Sequence, residues 1–261
     1  GGCQGHLHRD HLQGVHVSDP APGESRPGQP GRSGDIEPGA PGRSVEIEPG
    51  APGRSVEIEP GAPGSWEIVE RQEIHKGFFS LDVVHLRHRL FEGGWSPVIR
   101  RELFRTRRAA VVLPWDPVRD LVVLVEQFRT GMVESGTSPW LIEACAGLTE
   151  PGESPEEVAR RECVEECGIE PRRLAFCCEY AASPGSMTEQ VSVFVGEVTA
   201  PDHGAIHGVA AEGEDIRTHV LPLSEAVARI RDRRITAVTA VVSLLWLQAN
   251  EAVLRKEWLA G

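Results

Sequence analysis

Between residues 147 and 169 the chain reads GLTEPGESPEEVARRECVEECGI, and no other stretch restricts the fold so tightly. Ser154-Pro155-Glu156-Glu157 forms a capping box, with Ser at the N-cap, Pro at the first helical position and Glu three residues after the cap. Gly168 stands where a left-handed residue closes a helix. This punctuation predicts a helix over 155–167, about 20 Å long at the usual rise per residue. At about 100° per residue, Glu162, Glu165 and Glu166 fall within an arc of roughly 100°. Ala159, Cys163 and Cys167 form the neighbouring apolar stripe, which would hold the helix against a core. Like charges at these spacings weaken a helix, and hard divalent cations with oxygen ligands reverse the cost. A solvated acidic face is the plain alternative. The fixed offsets, G-x5-E-x7-R-E-U-x-E-E-x-G-U with U apolar, favour a metal site.

The material available for a core is unevenly spread. Residues 1–64 hold 14 of the 28 Gly and 10 of the 20 Pro, so the fold must be built from the remaining chain. Three units of 11 residues (31–41, 42–52 and 53–63) repeat around GRSVEIEPGAP. Pro and Gly in every unit exclude a helical repeat, and one or two aliphatic side chains per unit cannot repay the ordering entropy. The expectation is a disordered, low-complexity tail over 1–64, followed by folded sequence.

Alternating apolar and polar residues from Trp66 to about Phe104 predict antiparallel strands. The apolar runs 109–114 and 121–125, separated by Asp-Pro and Arg-Asp, read as a core hairpin. Further strands are expected at 191–195 and 218–221, and a long helix at 237–259. Strands with interspersed helices indicate α/β or α+β layering.

A formal charge of −12 argues against a nucleic-acid partner, which needs clustered Lys and Arg. No apolar run reaches the roughly 18–20 residues that span a bilayer, and the chain starts without the apolar region of a secretory signal. The six cysteines show neither a disulfide framework nor zinc-ligand spacing. Buried free thiols in a reducing cytoplasm are the reading that fits.

The pattern at 147–169 resembles the signature of the Nudix hydrolases, with Cys163 where a branched aliphatic residue is usual. Over roughly residues 66–259 the chain looks like the bacterial ADP-ribose pyrophosphatases of that family. The stretches that carry the likeness are Gly77-Phe78-Phe79, Arg100-Arg101-Glu102, Glu126-Gln127-Phe128-Arg129, Ser183-Pro184-Gly185 with Glu189, and the acidic loop 204–216. The resemblance implies an α/β fold, an α/β/α sandwich around a mixed sheet. It divides the chain into the tail (1–64), an N-terminal antiparallel β subdomain serving dimerisation (65–105) and a Nudix domain (106–261).

The resemblance also implies roles. Glu162, Glu166, Glu214 and the carbonyl of Ala146 would hold two or three Mg²⁺, or Mn²⁺, with Glu165 supporting. Glu212 would be the general base. Phe78 and Phe79 would flank adenine, Arg101 would grip substrate in the partner subunit's site of a homodimer, Glu102 would contact substrate, and Arg129 would grip phosphate. Leu148, Ser183, Pro184, Gly185 and Glu189 would complete the substrate contacts, and Gly147, Glu153, Arg161 and Gly168 would shape the motif. At Thr106 the chain departs from an arginine usual in these enzymes, with Arg105, Arg107 and Arg108 beside it. The implied reaction is Mg²⁺-dependent hydrolysis of ADP-ribose to AMP and ribose 5-phosphate in the cytoplasm. Hydrolysis of another sugar nucleotide, such as UDP-glucose or GDP-mannose, and silent sensing of ADP-ribose are the alternatives.

Overall fold

The computed structural model describes residues 66–209, 211 and 213–260, so the expectations for the 1–64 tail and for Glu212 lie outside the described residues. The alternation after Trp66 becomes a three-stranded antiparallel sheet: β1 (Trp66–Lys76), β2 (Ser80–His88) and β3 (Ile99–Arg105), with β2 in the middle. The central strand buries Asp82, Val83 and Val84, whereas β1 is exposed along nearly its whole length.

β4 (Ala109–Asp116) and β5 (Leu121–Phe128) follow, and they organise the rest of the molecule. Every residue of β4 is buried. Val111, Leu113 and Trp115 join one apolar cluster, and Ala110 and Val112 join another. β5 divides in the same way, Val122 and Leu124 against Val123 and Val125. Strands with no polar face must be covered on both sides. Here α1 (Pro155–Cys167) covers one face through Val158, Ala159, Cys163 and Cys167. On the other lie α2 (Leu223–Arg231) and α3 (Val238–Leu259), which bury Leu223, Ala226, Leu244, Leu247 and Trp258. The result is the α/β/α layering expected from the sequence.

The central sheet has eight strands. Its order is β10 (Ile206–His207), β11 (Ile216–Pro222), β5, β4, β9 (Gln190–Glu197) and β8 (Leu174–Ala181). β4 and β9 run parallel among otherwise antiparallel neighbours, so the sheet is mixed. One expectation needs correcting. The runs read as a core hairpin do form β4 and β5, but they pair only at Trp115↔Val122 and Asp116↔Leu121. Beyond that turn the strands splay, because β6 (Trp140–Glu143) pairs with β5 and β7 (Cys145–Leu148) pairs with β4. The segment 140–148 is thus a wedge driven between them, and α1 packs over β7 and β4. Among the described residues, no helix is long and apolar enough to cross a membrane.

Candidate active site

The helix that carries the carboxylates is set by its ends. Ser154 accepts a hydrogen bond from Glu157 N on its Oγ, while the Glu157 side chain accepts one from Ser154 N at 2.7 Å. Such a cap contributes about 1 kcal/mol. At the other end Gly168 adopts φ 67°, and an added Cβ would fall 2.8 Å from the His207 ring. Any other residue there would be strained and would push β10 away.

α1 turns Glu162 and Glu166 toward the wedge. Glu166 is 2 % exposed. It accepts hydrogen bonds from Gln127 Nε2 and from the Ala146 backbone N–H, both at 3.0 Å. Burial outweighs these two donors and pushes its carboxyl up to about 8, helped by the neighbouring Glu162. Glu162, one turn earlier, is also raised by burial, while Arg161 pulls it back. Its carboxylate lies across the backbone of β7, and a Cβ on Gly147 would fall 1.6 Å from Glu162 Oε1. Gly147 is therefore the only residue type that leaves room for Glu162.

Arg161 gathers the acids around it. Its guanidinium donates to Glu162 at 2.6 Å, to Glu165 at 3.1 Å and to Glu153 at 3.0 and 3.2 Å, with a longer contact to the Leu148 carbonyl. Glu153 also accepts from Glu150 N, and the Arg161 side chain with that bond holds it below the usual carboxylate range. Glu165 sits at the rim, part-exposed. The loop between β10 and β11 closes over the end of α1: Gly208 N–H donates to the Glu165 carbonyl, and Glu214 accepts from Val209 N.

Arg129 faces this cluster from the end of β5. It forms a bidentate pair with buried Glu143, through Nε and Nη2, at 2.6–3.1 Å. Burial opposes its charge, but Glu143, and then Glu166 and Glu214, hold its pKa above the ordinary value. Two buried carboxylates one turn apart offer oxygen donors of the kind that suit hard divalent cations. Among the described residues, no three His, Cys, Asp or Glu side chains converge as a ligand set, and Glu162 is engaged by Arg161.

This arrangement has counterparts. A NUDIX domain matches residues 105–239. The ADP-ribose pyrophosphatase of Escherichia coli (strain K12) is 46 % identical over 192 residues, which span 74 % of this chain and 92 % of that protein. The chain belongs to the Nudix family. The ADP-ribose pyrophosphatase of Haemophilus influenzae is 43 % identical, over 74 % of this chain and 90 % of its own. A GDP-mannose pyrophosphatase of Citrobacter koseri is more distant, 34 % identical over 59 % of this chain and 80 % of its own. A crystal structure of an ADP compounds hydrolase shares the fold, with a TM-score of 0.56 at 21 % identity over 77 % of this chain and 97 % of its own.

Within this Nudix site, Ala146, Gly147, Glu153, Arg161, Glu162, Glu165 and Glu166 come together, Arg129 and Glu214 lie within their electrostatic reach, and Gly168 stands at the C-terminal end of α1 against His207. Other expected residues sit apart. Arg101 donates to the Arg100 carbonyl and Glu102 pairs with Arg100, both exposed on β3. Phe78 is 78 % exposed and meets Phe79 edge-on, and Arg107 lies 5.7 Å over its ring while bonded to Glu150. So the arginine next to Thr106 stands beside the aromatic pair. The 183–189 turn docks on β3, with Phe104 N donating to the Ser186 carbonyl, and burial raises the Glu189 carboxyl. Cys145, Cys163 and Cys167 are free, buried thiols packed beneath the carboxylates.

The sequence reading missed Gln127 and Glu143. Both left a trace. Gln127 lies between an acid and an arginine at a strand end, and Glu143 is a lone charge inside the apolar run 141–146. A charge in such a run signals a buried partner.

Proposed function

We propose that this chain hydrolyses the pyrophosphate bond of ADP-ribose to AMP and ribose 5-phosphate. The observation that carries the reading is the 46 % identity to a curated ADP-ribose pyrophosphatase over 92 % of that relative's length. The buried Glu162–Glu166 pair, whose charged form is disfavoured by burial and would be favoured by a bound cation, supports it from the chemistry of the site.

Glu162, Glu166, Glu214 and the Ala146 carbonyl would hold two or three Mg²⁺, or Mn²⁺, with Glu165 supporting. Bound there, the cations would neutralise the pyrophosphate and acidify the attacking water. Glu212 takes the proton as the water oxygen attacks phosphorus and the bridging P–O bond breaks. Arg129 binds the charged phosphate oxygens, a task suited to a guanidinium. Phe78 and Phe79 stack on the adenine, with Arg107 at hand in place of an arginine at position 106. Leu148, Ser183, Pro184, Gly185 and Glu189 contact sugar and phosphates and fix which phosphorus faces the water.

Arg101, exposed on β3, serves the partner's site in a cytoplasmic homodimer assembled through 65–105, and Glu102 beside it contacts substrate. The GDP-mannose pyrophosphatase relative makes another sugar nucleotide the competing substrate. A panel of ADP-ribose, GDP-mannose and UDP-glucose with Mg²⁺ tests the reading. ADP-ribose should give the highest kcat/KM, and Glu212→Gln should lower kcat by about 10²–10⁴. Preference for another sugar nucleotide, or binding of ADP-ribose without turnover, would refute it.

A further inference from the structure

Glu143 is a buried acid with no part in the metal set, and both its oxygens are taken by one side chain. It closes β6, where it pairs in register with Val125, and the next residue, Ala144, is fully buried, so its backbone is fixed. Glu143 is buried while the Arg129 side chain keeps 40 % of its surface exposed, and an ion pair with a buried member is often no better for stability than apolar residues of the same volume. Stability alone therefore gives no reason to place Glu143 here, but geometry does.

A guanidinium has five N–H groups in a rigid plane. The one on Nε and one on Nη2 face Glu143, which leaves three in the same plane along its other edges. Arg129 also feels the charges of Glu166 and Glu214. Without a competing carboxylate it would turn onto those acids and occupy them.

We infer that Glu143 is a positioning residue for the reaction: by clamping one edge of Arg129 it keeps that arginine off the metal-binding acids and turns its free edge to the substrate phosphates. This rests on the pyrophosphatase reading above. It goes beyond that reading in giving the arginine a dedicated partner. The clamp acts on the phosphates shared by all nucleoside diphosphate sugars, so it is independent of which sugar is preferred.

A double-mutant cycle tests it, on whichever sugar nucleotide the natural chain turns over best with Mg²⁺. Glu143→Gln keeps the shape and one acceptor, and should lower kcat/KM roughly tenfold. In an Arg129→Gln background the same change should have less than a twofold effect, because the residue it acts through is gone. Thermal melting controls for folding: Arg129→Gln leaves Glu143 buried and unpaired and should lower Tm, and the double variant should recover part of the loss. Equal losses in both backgrounds, or no loss in either, would overturn the inference while leaving the pyrophosphatase reading intact. A natural chain inactive on every sugar nucleotide would instead remove that reading, and this inference with it.

Discussion

On the proposed reading Glu166 serves to bind cations, whereas its burial makes its charge costly to the fold without them, and the two effects separate in one variant. Replacing it with Gln keeps its size and removes its charge. The hydrogen bonds survive. The new side chain can accept from Ala146 N–H on its oxygen, and the Gln127 amide can reverse to accept from the new NH₂. The magnitude follows from the carboxyl being pushed up to about 8 by burial. Below about pH 4.5 it is protonated in folded and unfolded chains alike, and nothing is gained or lost. Between about pH 4.5 and 8 the unfolded chain ionises while the folded one does not. Stability then falls by about 1.4 kcal/mol per pH unit, to a total of roughly 5 kcal/mol.

Glu166→Gln should therefore match the natural chain near pH 4.5 and exceed it increasingly up to pH 8 when unfolded by urea in EDTA. An imperfect amide pair costs about 1 kcal/mol and leaves the sign unchanged. Added Mg²⁺ should stabilise the natural chain at pH 8 through linkage, and the variant much less. Hydrolysis by the variant should be severely reduced. A difference that stays flat between pH 5 and 8, or a variant less stable at pH 8, would mean that Glu166 carries no desolvation cost and that the cation requirement has been misread.

Gly147→Ala places a methyl group where Glu162 Oε1 lies, so it should cost about 1–3 kcal/mol and suppress hydrolysis; a normal kcat would show that Glu162 works from another position. Glu153→Gln removes the anchor that shares Arg161 with Glu162 and Glu165, and should raise the Mg²⁺ concentration for half-maximal rate; an unchanged Mg²⁺ titration would deny Glu153 that role. Phe78→Ala alters an exposed ring, so Tm should hold while KM for ADP-ribose rises roughly tenfold, the worth of one base stacked on an aromatic ring; an unaltered KM would place the adenine elsewhere. Removing 1–64 should leave kcat/KM within about twofold, since nothing in that composition can build a site. A large loss would assign the tail a part in the reaction.

The parts legible in the sequence were those with local causes. The ends of α1 were readable because Ser154, Pro155 and Gly168 act on backbone groups within four residues of themselves. Its angular pattern then separated the stripe of Ala159, Cys163 and Cys167, all buried, from the carboxylates. What escaped had non-local causes. The hairpin reading of β4 and β5 holds at the turn and not beyond it, because the partner of each strand comes from a wedge 12 to 39 residues downstream of the residues it pairs with. That wedge, 140–148, is short, apolar and without period, so nothing in it announces two strands. The exposure of Phe78 was equally unreadable, since Phe78 and Phe79 are chemically identical neighbours, both exposed but to 78 % and 37 %.

The charges of the site follow one scheme that the α1 signature alone does not reveal. Each arginine near the carboxylates has its own anchor on the far side: Arg161 is tied to Glu153, and Arg129 to Glu143. An unanchored guanidinium beside buried carboxylates would neutralise them fully and leave no charge for a cation. An anchored one is shared. It offsets enough repulsion for Glu162, Glu165 and Glu166 to sit in one turn, yet Glu166 keeps a carboxyl raised to about 8 and unmet by any direct cationic partner among the described residues. The carboxylates of α1 therefore depend on two acids outside their own helix, Glu153 from the same signature and Glu143, hidden in an apolar run.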